Sequence, residues 1–507
     1  MTVLMPQRAE ADVCLLLEGT YPYILGGVSS WVHDLIKAQS HLTFALVSLT
    51  ASDAPRKTVF EVPGNVVAWN RVNLGALEPG RAAFSGARNL PRKLAPALNA
   101  LLKGGGLKEF YEVMTILHPV RRDAGAAALL DAPGAWETLV AMYAEAFDHV
   151  SFIDYFWTWR ALLTSFYAAA LAPLPAARCY HAISTGYAGL MAARAALETG
   201  RPALLTEHGI YTNERRIEIS LADWLHDPGS LSLGADVRLR GLKALWIDAF
   251  GAYSRAAYEA CDRITTLYKG NQDMQRRDGA PEDRLSIVPN GVDAARYGAL
   301  PRANRSAGPV IALIGRVVPI KDVKTYIRAA ALLKEWVPGL QAWVLGPDDE
   351  DPAYAAECKA LASHLGLEGT LSFKGRVKLD EYLPQIDVNV LTSVSEAQPL
   401  VVLEAGAAGI PTVSTDVGCC RDLILGADWE RPALGAGGAI VPVASPMAVA
   451  AALKDLVAGP EALRAAGAVM QARVRAHYNK PDIDRRYAEF YRAAIETQGA
   501  ARLLEAA

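Results

Sequence analysis

Cysteine is scarce: six in 507 residues, and no two of them lie at the short spacing of a zinc site. Cys14, Cys179, Cys261 and Cys358 are far apart, and the adjacent pair Cys419–Cys420 cannot readily share a metal or a relaxed disulfide. The expectation is a set of reduced, buried thiols in a cytosolic protein. There is no excess of positive charge either. Lys and Arg number 51 against 54 Asp and Glu, a formal charge of −3, which leaves no basic face for nucleic acid. No run of about 20 apolar residues is present to span a bilayer. Glu10 and Asp12 stand ahead of the short run Val13 to Leu17, a pattern unlike a secretory leader. Together these absences favour the cytoplasm. Glycine (41) and proline (29) are near their average share, and no repeat of solenoid period occurs, which excludes collagen-like and repeat architectures. What remains is an ordinary globular balance, 51% apolar and 21% charged, in a chain too long for one core.

Short apolar runs alternate with helical patterns. Val13 to Leu17 and Phe44 to Leu49 read as buried strands, and Ser29 or Ser30 as the cap of a helix through Trp31, Leu35 and Ile36. From about 76 to 172 the spacing is helical, broken at Gly104 to Gly106 and Pro133–Gly134, and reads as a helical insertion. Strand-like runs return at Cys179 to Ile183, Ala203 to Thr206, Arg263 to Thr266 and Leu285 to Val288. Pro301 to Pro309 reads as a linker. A second alternating set follows at Val310 to Ile314, Gln341 to Leu345, Leu371 to Phe373, Asp387 to Leu391 and Thr412 to Ser414, and from Pro446 onward the chain is mostly helical. The fold class is therefore α/β, with two doubly wound domains. An N-terminal domain spans 1–300 with the insertion, and a second domain spans 301–475. Terminal helices at 476–507 are free to cross back to the first. Ligands of such sheets bind beyond the carboxyl ends of the strands.

Several side-chain groups fall at those ends. Glu396 lies just before a helix expected to start near Pro399, and Glu404 lies roughly 8 Å along it, in its second turn. A helix N-terminus between two carboxylates suits a diphosphate with hydroxyl groups on either side; the plainer reading is two glutamates on a wet face. Gly315–Arg316 and Lys321 follow a strand and offer a planar fork and a compact charge for a diphosphate, unless one of them pairs with Asp322. Asn290–Gly291 is a turn at a candidate cleft edge. His208, after Thr206–Glu207, could bond a sugar hydroxyl or be structural. Glu207 and Glu214 are further candidates, with a solvated surface as the alternative. Gly26–Gly27 would allow close approach of a ligand or simply form a loop. Phe152 to Trp159 holds five aromatics, a core stripe or a sugar-stacking or partner surface.

In order along the chain, Gly-Arg-x4-Lys, the paired glutamates and Ala-x-Gly-x-Pro-Thr-Val resemble the retaining family-4 glycosyltransferases of GT-B fold. The resemblance covers about 289 to 425 and is looser before that. TYPYILGGVSSWVHDL and TEHGIY look more specifically like the soluble glycosyltransferase of bacterial Pel-type exopolysaccharide systems. The resemblance implies a UDP-sugar donor held mainly by the second domain, facing the first across a cleft. Arg316 and Lys321 would hold the diphosphate, Glu404 the ribose, and Glu396 and His208 the donor sugar. Backbone groups of Gln398, Pro399, Leu400 and Val401 would contact sugar and phosphates. Lys374 to Val377, Arg376 included, would border the base, with Asn290 at the cleft edge. Gly26 and Gly27 would lie near the phosphates and the acceptor. Two departures stand out. Ala397–Gln398 replaces the family's frequent Gly-Phe and leaves the donor hexose open, and Cys419–Cys420 follows Val417–Gly418 where a further glycine is common.

The implied reaction moves a hexose or N-acetylhexosamine, with its anomeric configuration kept, to a growing polysaccharide. No metal and no other cofactor is expected, since no cluster of aspartates is visible and the cations can take that role. An inner-membrane synthase or export complex is an expected partner, and would make the protein peripheral to that membrane; nucleic acid is not. Two rival readings are a non-catalytic nucleotide-sugar-binding component of an export assembly and a nucleotide-sugar epimerase.

Overall fold

The computed structural model describes every residue except Met1, Arg8, Thr20, Pro55, Ala82, Ala83, Ser85, 223–240, 304–307 and 498–507. The middle of the expected linker and the end of the expected terminal segment thus lie outside the described residues. The chain forms two compact units. One comprises Met1–Thr266, Asn271–Ile287 and Tyr487–Ala507; the other comprises Leu267–Gly270 and Val288–Arg486.

The first unit is built on eight strands: β1 (Thr2–Met5), β2 (Ala11–Glu18), β3 (Phe44–Thr50), β4 (Val66–Asn73), β5 (Ala177–Ala182), β6 (Ala203–Glu207), β7 (Arg263–Thr266) and β8 (Leu285–Ile287). Their order is β1-β4-β3-β2-β5-β6-β7-β8. All neighbours are parallel except β1 and β4. The run Leu15–Leu16–Leu17 and all of β3 are buried, as strands covered on both faces must be. Chain order reverses between β2 and β5, the switch point of the sheet. Helices Leu90–Leu102, Leu107–Leu117, Pro133–Ala146 and Phe152–Leu171 lie between β4 and β5 and share the main core with the sheet. The glycines at 104–106 separate two of these helices, and a second break falls before Pro133, between a short helix ending at Leu129 and the one Pro133 begins. The aromatic stripe is divided: Tyr155 and Trp159 are core, and Trp157 is exposed.

The second unit carries β9 (Val310–Ile314), β10 (Gln341–Leu345), β11 (Leu371–Gly375), β12 (Val388–Leu391), β13 (Thr412–Thr415) and β14 (Gly438–Val441). Their order is β11-β10-β9-β12-β13-β14, parallel throughout. Here the switch point lies between β9 and β12. Helices Pro446–Val457, Pro460–His477 and Lys480–Glu496 end the described chain. The last helix divides at Arg486, and from Tyr487 on it belongs to the first unit.

Three strands escape the sequence reading: β1, β4 and β14. Helix starts also differ from expectation. Neither Ser29 nor Ser30 caps the first helix; Gly26 takes the cap position in extended backbone with no side-chain bond, and Gly27 begins the helix. Near Pro399 a helix does start as expected, at Leu400, with Pro399 in extended geometry at the cap position. All six cysteines are free and buried. Among the described residues no helix is long and apolar enough to cross a membrane.

Candidate functional site

The loops leaving β9 and β12 meet at the second unit's switch point. Thr392 Oγ1 donates to the carbonyls of Lys321 and Asp322, both at 3.0 Å, and the Val394 N–H donates to Ile320 O at 2.9 Å. The two loops are thereby one body. Lys321 Nζ then reaches Glu396 Oε1 at 2.5 Å, with the side chains only 17% and 14% exposed. Ser393 Oγ donates to the same oxygen at 2.7 Å. A cation and a carboxylate so shielded attract more strongly than a surface pair. The alternative, a pairing of Arg316 or Lys321 with Asp322, does not occur. Its carboxylate instead caps the helix Val323–Trp336, bonding the Thr325 N–H and Oγ1 at 3.2 and 2.6 Å.

Arg316 goes elsewhere. Its guanidinium bonds both oxygens of Glu350, at 2.5 and 2.7 Å, with both side chains about half exposed. Glu350, in the segment after β10, was not identified from the sequence. Gly346 at the end of β10 has φ +154°, and a Cβ there would overlap the Gly315 carbonyl. Only glycine lets these two loops close together beside Arg316.

The segment 396–399 is pinned on two further sides. The Cys419 N–H donates to Ala397 O at 3.0 Å, and the Asn290 N–H donates to Gln398 Oε1 at 2.6 Å. Gln398 therefore acts through its side chain on the Pro289–Asn290 turn, a role the sequence reading missed. Asn290 is buried, and its Oδ1 has no partner among the described residues. No side chain caps the helix that begins at Leu400, so its first N–H groups at Leu400 and Val401 form an open donor end. Glu404 lies one turn in and accepts a 3.2 Å hydrogen bond from Tyr297 Oη. Burial pushes its carboxyl up, against the opposing pull of that bond. Tyr297 was not anticipated. Arg376 is exposed after β11, and the neighbouring Lys374 lies over the Trp343 ring at 5.4 Å.

In the first unit, His208 follows β6. Its ring stands edge-on to Trp31, with centroids 4.6 Å apart, and both ring nitrogens are buried without a partner among the described residues. Burial lowers its pKa to about 4, so the imidazole is neutral. Glu207 is fully buried, not solvated as one reading had it. Gly26 and Gly27 are exposed, and a Cβ on either would meet nothing within 4 Å. Their freedom is not required by the chain's own packing. Among the described residues no cluster of His, Cys, Asp and Glu is arranged to hold a metal.

Two Rossmann-like α/β domains with parallel sheets are the architecture of GT-B glycosyltransferases. Residues 301–471 match the family of glycosyl transferases group 1. The chain itself belongs to the family described as a domain of unknown function, DUF3492, which matches residues 11–283, more than half its length. A D-inositol 3-phosphate glycosyltransferase of Kineococcus radiotolerans is 31% identical over 266 residues, covering 48% of this chain and 60% of that protein. An alpha-maltose-1-phosphate synthase of Mycolicibacterium smegmatis is 26% identical over 325 residues, 61% of this chain and 77% of that one. Against the inositol-phosphate enzymes the chain spans between 34% and 60% of their length. Among solved structures, a sucrose-phosphate synthase from Thermosynechococcus elongatus superposes with a TM-score of 0.57 at 16% identity, covering 95% of this chain and 98% of that one. Anabaena Alr3699/HepE in complex with UDP gives 0.57 at 14%, covering 95% and 100%. At these identities the likeness is one of fold.

Proposed function

We propose that the protein is a retaining glycosyltransferase that moves a hexose or N-acetylhexosamine from a UDP-sugar to a growing exopolysaccharide. The observation that carries the reading is the shielded Lys321–Glu396 pair beside an uncapped helix end at the switch point of the second sheet. The matches to group 1 glycosyl transferases and to a fold neighbour solved with UDP support it.

The diphosphate draws Lys321 from Glu396 and Arg316 from Glu350, and the N–H groups of Leu400 and Val401 add their dipoles. Glu396, released, takes hydroxyls of the donor sugar. Glu404 takes the ribose hydroxyls, its carboxylate already oriented by Tyr297. Gln398 holds the backbone that contacts sugar and phosphates, and Asn290 offers an open acceptor at its edge. Arg376 borders the base. His208, neutral and with both nitrogens open, serves the donor sugar, and the loop of Gly26 and Gly27 admits phosphates and acceptor. The bond from the anomeric carbon to the phosphate oxygen breaks, and the negative charge that develops on UDP is met by the two cations. An acceptor hydroxyl attacks from the same face, and its proton passes to the departing phosphate oxygen. No metal is needed in this scheme, so treatment with EDTA should leave turnover intact. The setting would be the cytoplasmic side of an export assembly, with an inner-membrane synthase or export complex as partner.

The test is a donor screen by UDP release with glucose, N-acetylglucosamine and N-acetylgalactosamine carriers, run beside Glu396→Gln. Acceptor-dependent release lost in that variant, with UDP binding kept, is the expected result. Binding without turnover in the wild type would point to an assembly component. Conversion of the donor without acceptor would point to an epimerase.

A further inference from the structure

Glu207 ends β6, immediately before His208, and is 1% exposed. Four groups from four places donate to its carboxylate. Thr185 Oγ1, after β5, reaches Oε1 at 3.2 Å, and the backbone N–H of Tyr211, first residue of the next helix, reaches the same oxygen at 3.4 Å. Tyr258 Oη and Gln275 Nε2, from two further helices, reach Oε2 at 2.7 and 2.9 Å. Ser254 Oγ backs the cluster by donating to Thr185 Oγ1 at 2.8 Å. A fold does not need such a group. Burying a carboxylate is costly, and an apolar core at this place would need neither it nor the four donors gathered around it. The cluster lies at the carboxyl end of the sheet, where ligands of this architecture bind.

We infer that Glu207 is the positioning residue for His208. It draws the turn after β6 inward from both sides, so that the imidazole emerges against Trp31 with its two nitrogens unspent. The rest of the turn is fixed to match. Asn271 Nδ2 donates to the His208 carbonyl at 3.3 Å, and Gly209 is crowded by the Glu214 carboxylate. Among the described residues of the first unit no hydrogen bond orients the imidazole itself. Its direction is set by backbone and by one ring contact, and the backbone is set by Glu207. The cluster also tolerates either proton state. Gln275 Oε1 is buried without a partner among the described residues, so rotating the amide would let that oxygen accept a hydrogen bond from a protonated Glu207.

This inference rests on the reading of His208 as a donor-sugar contact, and the experiment separates the two. UDP release is measured for the full chain, Glu207→Leu, His208→Ala and the double variant. Glu207→Leu should lower kcat by about 10- to 100-fold, the scale of a small misplacement, while UDP affinity stays as it was. In the His208→Ala background it should cost nothing further. An equal loss in both backgrounds overturns the inference, because a merely structural carboxylate would cost the same in each. Tyr258→Phe, which removes one of the four bonds, repeats the cycle should Glu207→Leu fail to fold. The imidazole C–H resonances of His208 give a readout independent of activity. They should move in Glu207→Leu and Tyr258→Phe, and return toward wild type in Glu207→Gln; unmoved resonances overturn the inference. A wild type that releases UDP from no donor defeats the functional reading alone, and the resonances still decide this one.

Discussion

Lys321 and Arg316 are both cations after β9, yet their surroundings differ. Lys321 is shielded and shares its partner with Ser393; Arg316 meets Glu350 in water, where such pairs contribute little. Removing Lys321 should therefore raise the donor KM at least tenfold, and removing Arg316 by a smaller factor, both read by steady-state UDP release. A second expectation concerns proton uptake. Burial raises the Glu207 carboxyl from 4.5 to about 7, against the pull of Gln275, Tyr258, Tyr211 and Thr185. Between those pH values the folded chain holds a proton that the unfolded chain has released, so this group adds stability as pH falls from 7 to 4.5. Buried His208, its pKa lowered from 6.5 to about 4, works the other way. The unfolded chain takes up its proton first, and stability is lost below 6.5. Replacing Glu207 with Gln removes the stabilising contribution and leaves the opposing one. Its melting temperature should fall more steeply than wild type between pH 7 and 5, measured by thermal scans at fixed ionic strength.

At the scale of elements, the segment from Ser393 to Pro399 is held by its neighbours rather than by its own secondary structure. Gly418 is one of them. Its φ is +54°, and a Cβ would overlap the carbonyls of Glu396 and Ala397. Gly418→Ala should cost about 1–3 kcal/mol, the usual scale of backbone strain, lowering the melting temperature and, through the displaced Glu396, donor turnover. What the sequence revealed of these elements follows their physics. Strands buried on both faces, such as β3 and β9, announce themselves as unbroken apolar runs. β1 and β14 are short edge strands, and β4, VVAWNRVN, interrupts its apolar residues with Asn and Arg, so neither kind carries that signal. Glu396, Lys321 and Glu404 were legible because a motif orders them along the chain. Glu350, Tyr297 and Trp31 were not, since nothing local distinguishes a residue whose partner is brought to it only by the fold. Gly26 misled in another way: with extended backbone at the cap position, it left the two serines after it inside the first turn.

At the scale of the whole molecule, the helix Lys480–Glu496 brings a late segment back to the first unit. Beyond Arg486 it belongs to the first unit, where Tyr491 Oη meets His181 Nδ1 at 2.7 Å while Thr206 Oγ1 meets Nε2 at 2.8 Å. His181 is fully buried, and burial lowers its pKa to about 3. Tyr491→Phe would strand a buried nitrogen at a cost of about 1–3 kcal/mol, visible as a lower midpoint in urea with an unchanged slope. Phe44 and Tyr487 pack their rings in the same neighbourhood, so the loss is felt by the sheet's middle strands rather than at a frayed end.

That arrangement also sets a timetable. Ribosomes deliver β5, with His181, some three hundred residues ahead of the tyrosine that completes it. Until that tyrosine emerges, the earlier strands wait with a gap in their middle, and a product terminated before it would present that gap to proteases as a mark of incompleteness.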